Sequence, residues 1–371
     1  MTALLQRAVG RRHGIVPGVE VLPTARCEVP GVWHASVGPA PEAAVCPLPA
    51  VAQEEPSLPL EAWSLFSEEQ RASPAYPFAA AYRQQPTTFV WDLADNRRWT
   101  VPRALVGLAD PAGHGLVTSS GLAAAPSRPQ ALLRATQELV ERDALMTVWN
   151  WSLPGRRVAL PARYEAVVAD VAGRATAVDA TPAYSPHPVA LVFGEVRREG
   201  RRRIALGAAC RATWEEAVGK AFLEWAQGIL FAGVWCAARP GLRYDRPAAV
   251  RTFEDHAAYY TAHPDHWDAA PLAAAASAPG GPPPPDGPPS LAALVAGLTG
   301  AGVRLLYRDL TTPDVAQVGV AVVRVLSPDL TPIGCEHAWP FLGGRAADVA
   351  WRYPGAMGAL ATLNPWPHPL G

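Results

Sequence analysis

Carboxylate and guanidinium side chains gather between residues 134 and 143 of the 371-residue chain. Glu138 and Glu141 lie about one helical turn apart, and Arg142 follows directly, so the three fall on one side of a helix. Carboxylate oxygens are ligands that Mg2+ prefers, and guanidinium groups bind phosphate oxygens. The same spacing is also typical of a solvated helix face with i,i+3 and i,i+4 ion pairs, so this stretch alone leaves both readings open.

A second copy of the pattern follows further along the chain, and no gap is needed to align the two. The aligned pairs are Gly121 and Gly207, Ser127 and Thr213, Arg134 and Lys220, Glu138 and Glu224, and Glu141 and Gln227. The polar positions repeat although much of the apolar filling differs. An internal repeat of this kind predicts two helices that present equivalent polar faces. Lys220 has two readings, a phosphate contact or an i,i+4 ion pair with Glu224.

Both copies have the start signals of a helix. Ser127 is placed as an N-cap with Gln130 completing a capping box, and Thr213 pairs with Glu216 in the same way. We predict helices over residues 128–148 and 214–233. In the first of them, apolar residues at helical spacing, from Leu132 to Leu139, face a core.

The remaining elements indicate a mixed α/β class, an α+β sandwich of helices and hairpins. We predict one domain over 1–371, with a divergent N-terminal part at 1–85 and a flexible insertion rich in Pro and Gly at 240–290. The predicted strands are 13–16, 32–37, 88–92, a strand around 99–101, one strand within 157–187, 189–196, 202–206, 303–307 and 318–326. The other predicted helices lie around 65–71, 164–171 and 291–301.

Composition excludes several function classes. A formal net charge of −1 argues against a nucleic-acid or anionic-membrane binder, because both need a surplus of basic charge. The five dispersed cysteines favour reduced thiols and a cytoplasmic location over a disulfide framework. The first residues contain too short an apolar run for a secretory signal, and we expect no membrane association.

Seven stretches of the chain resemble the YcaO family, in the family's order, over residues 86–371. They are Thr118 to Ala125, Ala131 to Ala144, Glu224 to Gln227, Asp309 to Asp314, Val322 to Val325, Phe341 to Arg345, and the closing Pro365-x-Pro367-x-Pro369. The Glu141-Arg142-Asp143-Ala144 run together with the proline-rich ending is the most specific part. The chain is therefore identified as a member of that family.

The resemblance implies a mixed α/β sandwich that binds ATP with magnesium. It implies a cyclodehydratase that turns Cys, Ser or Thr of a ribosomally made precursor peptide into thiazoline or oxazoline through a phosphorylated backbone amide. By matching position, Glu138, Glu141 and Glu224 are the metal set. Arg142, Gln227, Arg324 and Arg345 are the cofactor-binding candidates, and the tail residues Pro365, Pro367, His368, Pro369 and Gly371 are the catalytic candidates.

The implied partners are the precursor peptide, a leader-binding protein of the E1-like or ThiF-like kind, and a flavin-dependent azoline dehydrogenase, within a homo- or hetero-oligomer. One departure from the family pattern keeps alternatives open. An earlier copy of the helix, with a glycine-lysine-glycine loop, is expected between about residues 35 and 65, but the prolines from Pro39 to Pro56 replace it. A non-catalytic scaffold subunit, or a YcaO protein that forms an amidine or thioamide, is therefore the alternative.

Overall fold

The computed structural model of the protein describes residues 56–78, 86–108, 118–198, 200–239, 241–356 and 363–371. The expected strands at 13–16 and 32–37, and the altered first copy up to residue 55, lie outside the described residues. The described ranges contain helices and two antiparallel sheets, which confirms the predicted mixed class.

The strands are β1 (Thr87–Asp92), β2 (Arg98–Pro102), β3 (Leu122–Ala125), β4 (Arg156–Val158), β5 (Gly173–Asp179), β6 (Val189–Arg198), β7 (Arg201–Cys210), β8 (Leu306–Asp309) and β9 (Ala321–Leu326). The helices are α1 (Glu68–Ala72), α2 (Arg128–Asn150), α3 (Ala162–Asp170), α4 (Trp214–Ala238), α5 (Phe253–Ala262), α6 (Pro264–Asp268), α7 (Pro271–Ala274), α8 (Leu291–Gly300), α9 (Pro313–Gln317) and α10 (Val349–Arg352).

Sheet one has the strand order β2-β1-β8-β9-β3, and sheet two the order β4-β5-β6-β7. The hairpins β1–β2 and β6–β7 are both predicted from the sequence and confirmed. Strands β8 and β9 begin about three residues later than predicted. Where one strand was predicted within residues 157–187, the structure has two, β4 and β5. Strand β3 was not predicted, because a strand of four residues leaves little periodic signal.

Helix α2 lies between the two sheets, and α4 covers the outer face of sheet two. Successive side chains of strand β6 point alternately into the two hydrophobic cores on either side of sheet two. Leu191 and Phe193 pack with α2, whereas Ala190 and Val192 pack with α4. A third cluster, around Trp63, Phe66 and Phe341 among others, covers the outer face of sheet one. This layering places the two repeat helices on opposite faces of sheet two.

Both repeat helices begin where predicted, but they end later, α2 at Asn150 instead of 148 and α4 at Ala238 instead of 233. Thr213 caps α4 by accepting a hydrogen bond from the Glu216 N–H at 3.2 Å, which is half of the predicted capping box. Ser127 occupies the N-cap position of α2, but its side chain makes no capping bond, so the predicted capping box is wrong there. Pro129 removes one of the N–H groups that a cap side chain uses, which weakens the motif.

Residues 240–290 differ from the expected flexible insertion. Helices α5, α6 and α7 lie in this segment, and Tyr259, Tyr260, Trp267 and Leu272 are buried in the core around α2. Burial of these large apolar surfaces orders the segment in spite of its prolines and glycines. Residues 278–290 form no helix or strand but follow sheet two, where the Gly281 N–H donates to the Arg157 carbonyl at 2.8 Å.

One described helix, α4, is long and apolar enough to cross a membrane if only its length and composition are considered. In this fold one side of α4 packs on sheet two through Phe222, Trp225 and Ile229. This packing accounts for part of its apolar content, because a helix that covers a sheet needs an apolar face.

Candidate functional site

The site begins at the free edge of strand β7, the last strand of sheet two. Two backbone N–H groups of β7 point away from the sheet and each reaches a carboxylate. The Cys210 N–H lies 3.3 Å from Glu141 Oε2, and the Ala208 N–H lies 3.4 Å from Glu224 Oε2. Because α2 and α4 lie on opposite faces of sheet two, its edge is where their carboxylates meet.

Glu138 and Arg142 complete the polar face of α2. Arg142 Nη2 lies 3.6 Å from Glu138 Oε1, and Arg142 Nη1 lies 3.1 Å from Glu141 Oε1. The second contact lacks the alignment of a hydrogen bond, so both of its atoms are buried without a hydrogen-bond partner in the described part of the chain. On α4, Lys220 Nζ pairs with Glu224 Oε1 at 3.0 Å. Of the two roles predicted for Lys220, this contact is the i,i+4 ion pair.

The pKa values show that the three carboxylates influence one another. Burial raises the pKa of Glu141 to about 8; Arg142 opposes this shift, and the charges of Glu224 and Glu138 add to it. Burial likewise raises the pKa of Glu138, against the opposing charges of Arg142 and Arg324. The structure therefore brings together the metal set predicted from the sequence, and it crowds negative charge there.

Arg324 reaches the cluster from sheet one, where it lies on β9. Only 4% of its surface is exposed, and its Nε and Nη1 atoms have no hydrogen-bond partner within the described residues. Burial lowers its pKa to about 10, and the charge of Glu138 opposes this shift. A buried guanidinium with unused N–H groups is costly unless a ligand satisfies it.

The donor set fits a magnesium-bound nucleotide. Glu138, Glu141 and Glu224 provide oxygen ligands for a hard divalent cation, and one oxygen of Glu141 is unused. Arg142 and Arg324 provide unused N–H groups, which suit phosphate oxygens. A cation would also offset the mutual repulsion of the carboxylates.

The remaining cofactor candidates lie apart from this cluster. Gln227 is exposed on α4, one turn beyond Glu224. Arg345 is engaged elsewhere: Nη1 donates to the Gly302 carbonyl at 3.1 Å, and the guanidinium stacks 3.6 Å from the ring centre of Trp351. Its phosphate role finds no support in these contacts, which anchor the segment after Phe341.

The proline-rich tail folds back onto the end of α2. The Asn364 N–H donates to the Asn150 carbonyl at 2.8 Å, and Trp149 Nε1 donates to the Trp366 carbonyl at 2.9 Å. The Tyr260 hydroxyl donates to the Pro367 carbonyl. The tail backbone is thus held at Trp149 and Asn150, about two turns beyond Arg142.

The predicted tail residues differ in their positions. Pro367, His368 and Pro369 are buried, whereas Pro365 and Gly371 are exposed. Gly371 packs so closely on α5 that a Cβ there would lie 2.3 Å from the Ala257 Cβ. Burial lowers the pKa of His368 well below its usual value, and His256, His337 and, more weakly, Arg142 add to the effect. Among these five, His368 is the side chain that senses the charge of the cluster.

Sequence reasoning missed one buried ion pair beside the site. Asp143 follows Arg142 directly and accepts from Arg352 Nη2 at 2.6 Å and Nε at 2.8 Å, and both residues are fully buried. Asp143 also accepts from the Tyr184 hydroxyl at 2.6 Å and from the Thr331 N–H at 2.7 Å. The sequence signal that could have predicted this ion pair is an acidic residue among apolar residues on the inner face of a helix. The pair ties α2 to the C-terminal segment and so holds Arg142 in place.

A family model described as YcaO cyclodehydratase, ATP- and Mg2+-binding, matches residues 27–331. The chain is similar to a heterocyclase solved in complex with substrate and cofactor, with 22% identity over 85% of this chain and 44% of that chain, and a TM-score of 0.65. It is similar to the heterocyclase TruD, with 22% identity over 85% of this chain and 46% of that chain, and a TM-score of 0.60. No curated protein matches it.

A third similar structure is a chain of the E. coli microcin synthetase McbBCD complex with pro-MccB17 bound. The identity is 13% over 72% of this chain and 69% of that chain, with a TM-score of 0.52. At these identities the structural likeness shows a shared fold. The chain spans less than half the length of the two heterocyclases.

Proposed function

The chain belongs to the YcaO family, and from that premise we propose that it is a cyclodehydratase for a ribosomally made precursor peptide. It converts Cys, Ser or Thr to thiazoline or oxazoline by ATP-dependent activation of a backbone amide. The observation that supports this proposal is the meeting of Glu138, Glu141 and Glu224 at one sheet edge, with unused guanidinium N–H groups beside them. Phosphoryl transfer depends mainly on positioning and charge neutralisation, which such a cluster provides.

In this mechanism the carboxylates of α2 and α4 would hold Mg2+, and Arg142 and Arg324 would hold phosphate oxygens. Bound ATP would supply the phosphoryl group that makes the amide oxygen a leaving group. The pKa of Glu141 is raised to about 8 by burial, so Glu141 would serve as a ligand in its deprotonated form. Arg324 loses its desolvation penalty when its free N–H groups find oxygen acceptors.

The tail supplies an uncharged acceptor in this proposal. His368 is kept neutral by burial, so its imidazole would offer a ring nitrogen as a hydrogen-bond acceptor rather than a positive charge. Pro367 and Pro369 flank His368 and restrict the backbone there. The buried placement of these three residues supports a positioning role for the prolines, and Pro365 and Gly371 complete the segment that they hold.

A partner protein belongs to the proposal because one chain of similar fold, from the microcin synthetase McbBCD, was solved within a complex. That complex also has pro-MccB17 bound. We therefore propose that a separate leader-binding protein delivers the precursor peptide. A flavin-dependent azoline dehydrogenase in the same oligomer remains a prediction.

A non-catalytic scaffold subunit is the second candidate function. It is favoured by the internal pairing of the cluster, because Arg142 already lies beside Glu138 and Glu141, and Lys220 beside Glu224. A cluster whose opposite charges are paired within the fold is able to stabilise the sheet edge without a ligand. In that case the carboxylates would serve only the fold.

Calorimetry with Mg–ATP on the purified chain, followed by phosphate release with the precursor peptide and leader-binding partner present, tests the two candidates. A cyclodehydratase binds Mg–ATP and releases phosphate in proportion to the water lost from the peptide, measured by mass. Binding without any release, or no binding in the presence of the partner, would contradict the proposed activity and favour the scaffold.

A further inference from the structure

The outer side of α4, away from sheet two, is apolar and exposed. Leu223, Leu230 and Val234 are 55%, 58% and 71% exposed, and Phe231 beside them is 37% exposed. The opposite side of α4 already packs on sheet two, so these four residues are not needed for that contact. They form an apolar patch on the order of 400 Å2, and the largest patch of this size on a monomer is often functional. We call these four residues the α4 patch.

The spacing of the patch is that of a helix that packs against another helix. Leu223, Gln227, Leu230 and Val234 follow one another at intervals of four, three and four residues. This alternation is the a/d spacing of a coiled coil, in which one row of side chains faces a second helix. Gln227 is exposed in the middle of the row, and a single polar residue there is of the kind that fixes register in such seams. The spacing therefore favours a helix as the occupant of the patch.

The charges at the two ends of α4 indicate which helix fits. Glu215 and Glu216 are exposed at its start, and Arg239 and Arg243 are exposed just beyond its end. In a parallel pair of α4 helices, like charges would meet at both ends and repel one another. In an antiparallel pair, the acidic start of each helix lies beside the basic end of the other, and the two helix dipoles are opposed. The sequence of α4 is thus complementary to a reversed copy of itself.

We propose that α4 pairs with α4 of a second copy of this chain, antiparallel and about a two-fold axis, so that the same patch serves both copies. With the patch centred on the axis, Leu223 of one copy lies opposite Val234 of the other. Two patches contribute about 800 Å2 of buried surface, and Gln227 with the exposed Ala237 brings the total above about 1,000 Å2, which a specific interface needs. The pairing requires neither nucleotide nor precursor peptide, and it goes beyond the proposed function.

Sedimentation equilibrium of the full chain without nucleotide tests the pairing. We expect a dimer at micromolar concentrations, and Val234→Gln should weaken it at least about tenfold, because a polar side chain then enters the apolar seam. Val167→Gln makes the same change at a 48% exposed position of α3 and should leave dimerisation unaltered. A wild-type chain that stays monomeric, or equal dimer affinities for the two variants, would overturn the inference.

Cysteine cross-linking tests the direction of the two helices. Chains with Leu223→Cys and chains with Val234→Cys, mixed and oxidised, should form a disulfide-linked dimer of one chain of each kind. Each variant oxidised alone should form little of it, as should the chain without an added cysteine. Strong cross-linking of each variant with itself, and none in the mixture, would indicate a parallel pair and overturn the antiparallel arrangement.

Two outcomes separate this inference from its neighbours. A dimer that neither binds nor turns over Mg–ATP would contradict the proposed function alone, whereas azoline formation by a strictly monomeric chain would contradict this inference alone. A monomer that sediments with phosphatidylcholine vesicles, and loses this binding in Val234→Gln, would assign the α4 patch to a lipid surface and overturn the pairing.

Discussion

Helices α2 and α4 begin from the same sequence pattern but come to lie in different layers. Helix α2 lies between the two sheets and is buried on nearly every side, including Asp143 and Trp149. Helix α4 covers only one face of sheet two and exposes Leu230 and Val234 on the other side. Each helix brings one carboxylate to the edge of β7, Glu141 from α2 and Glu224 from α4, although these two positions are not aligned in the repeat. The burial of the other side chains of each helix depends on the layer in which that helix lies.

The repeated glycines show how one sequence position meets two different constraints. At Gly121, φ is +80° and a Cβ would lie 2.2 Å from the Val325 carbonyl oxygen. At Gly207, a Cβ would lie 2.1 Å from the Ala221 carbonyl oxygen of α4. A side chain is excluded at both positions, by a neighbouring strand in one case and by the repeat helix in the other.

The last aligned pair has lost its equivalence. Glu141 is buried and bonded to the edge of β7, whereas Gln227 is exposed on α4. The two copies therefore contribute unequally to the cluster, with two carboxylates from α2 and one from α4. Glu138 and Glu224 are the two glutamates that occupy aligned positions of the repeat. The burial of Glu141 follows from the place of α2 between the two sheets.

The largest effect, a loss of azoline formation, is expected when Glu138 or Glu224 is replaced. Glu138→Gln and Glu224→Gln each remove one proposed metal ligand of similar shape, and each should lower azoline formation on the order of 100-fold or more. Precursor mass and Mg–ATP calorimetry measure the loss. Glu215→Gln on α4, whose side chain is 72% exposed, is the matched control and should retain activity. Full activity in either cluster variant would end the assignment of the repeat as a metal site.

A smaller effect, on the pH dependence of stability, is expected at the aligned position where α2 has Glu141 and α4 has Gln227. The pKa of Glu141 is about 8 in the folded chain and about 4.5 when unfolded, so the folded state holds a proton that the unfolded state has lost between these values. Stability without Mg2+ should therefore fall as pH rises from about 4.5 to about 8. Glu141→Gln should flatten this fall and raise the Tm at the alkaline end by a few degrees.

Gln227→Glu is the comparison for that measurement, since an exposed carboxylate keeps an ordinary pKa and should leave the pH profile of the Tm unaltered. Differential scanning fluorimetry across this pH range measures both variants. Identical profiles for the wild-type chain and Glu141→Gln would show that burial does not perturb Glu141.

The smallest effect distinguishes the two caps. Thr213→Ala removes a capping bond and should lower the free energy of unfolding by about 1 kcal/mol. Ser127→Ala removes no such bond and should cost less than about half of that. Urea denaturation of both variants decides the point. Equal losses would show that Ser127 caps α2 in solution after all.

Much of the fold was predictable because its signals are local. The bounds of α2 and the start of α4 follow from apolar periodicity and flanking turn residues, and the hairpins β1–β2 and β6–β7 from alternation around short polar turns. The repeat itself predicts that Glu138 and Glu224 converge. The helices and hairpins need only residues that are near one another in the chain, and the convergence of the two glutamates needs only the repeated pattern, so the sequence by itself determined them.

Tertiary structure alone decided the contacts between distant segments. Asp143 pairs with Arg352, which lies 209 residues further along the chain, and the tail packs on α2 and α5 rather than entering the cluster. Arg345 stacks on Trp351, and the helices of residues 253–274 join the core. The physical reason is that a buried polar group takes whichever partner the packing of whole layers brings to it, and no local pattern specifies that partner.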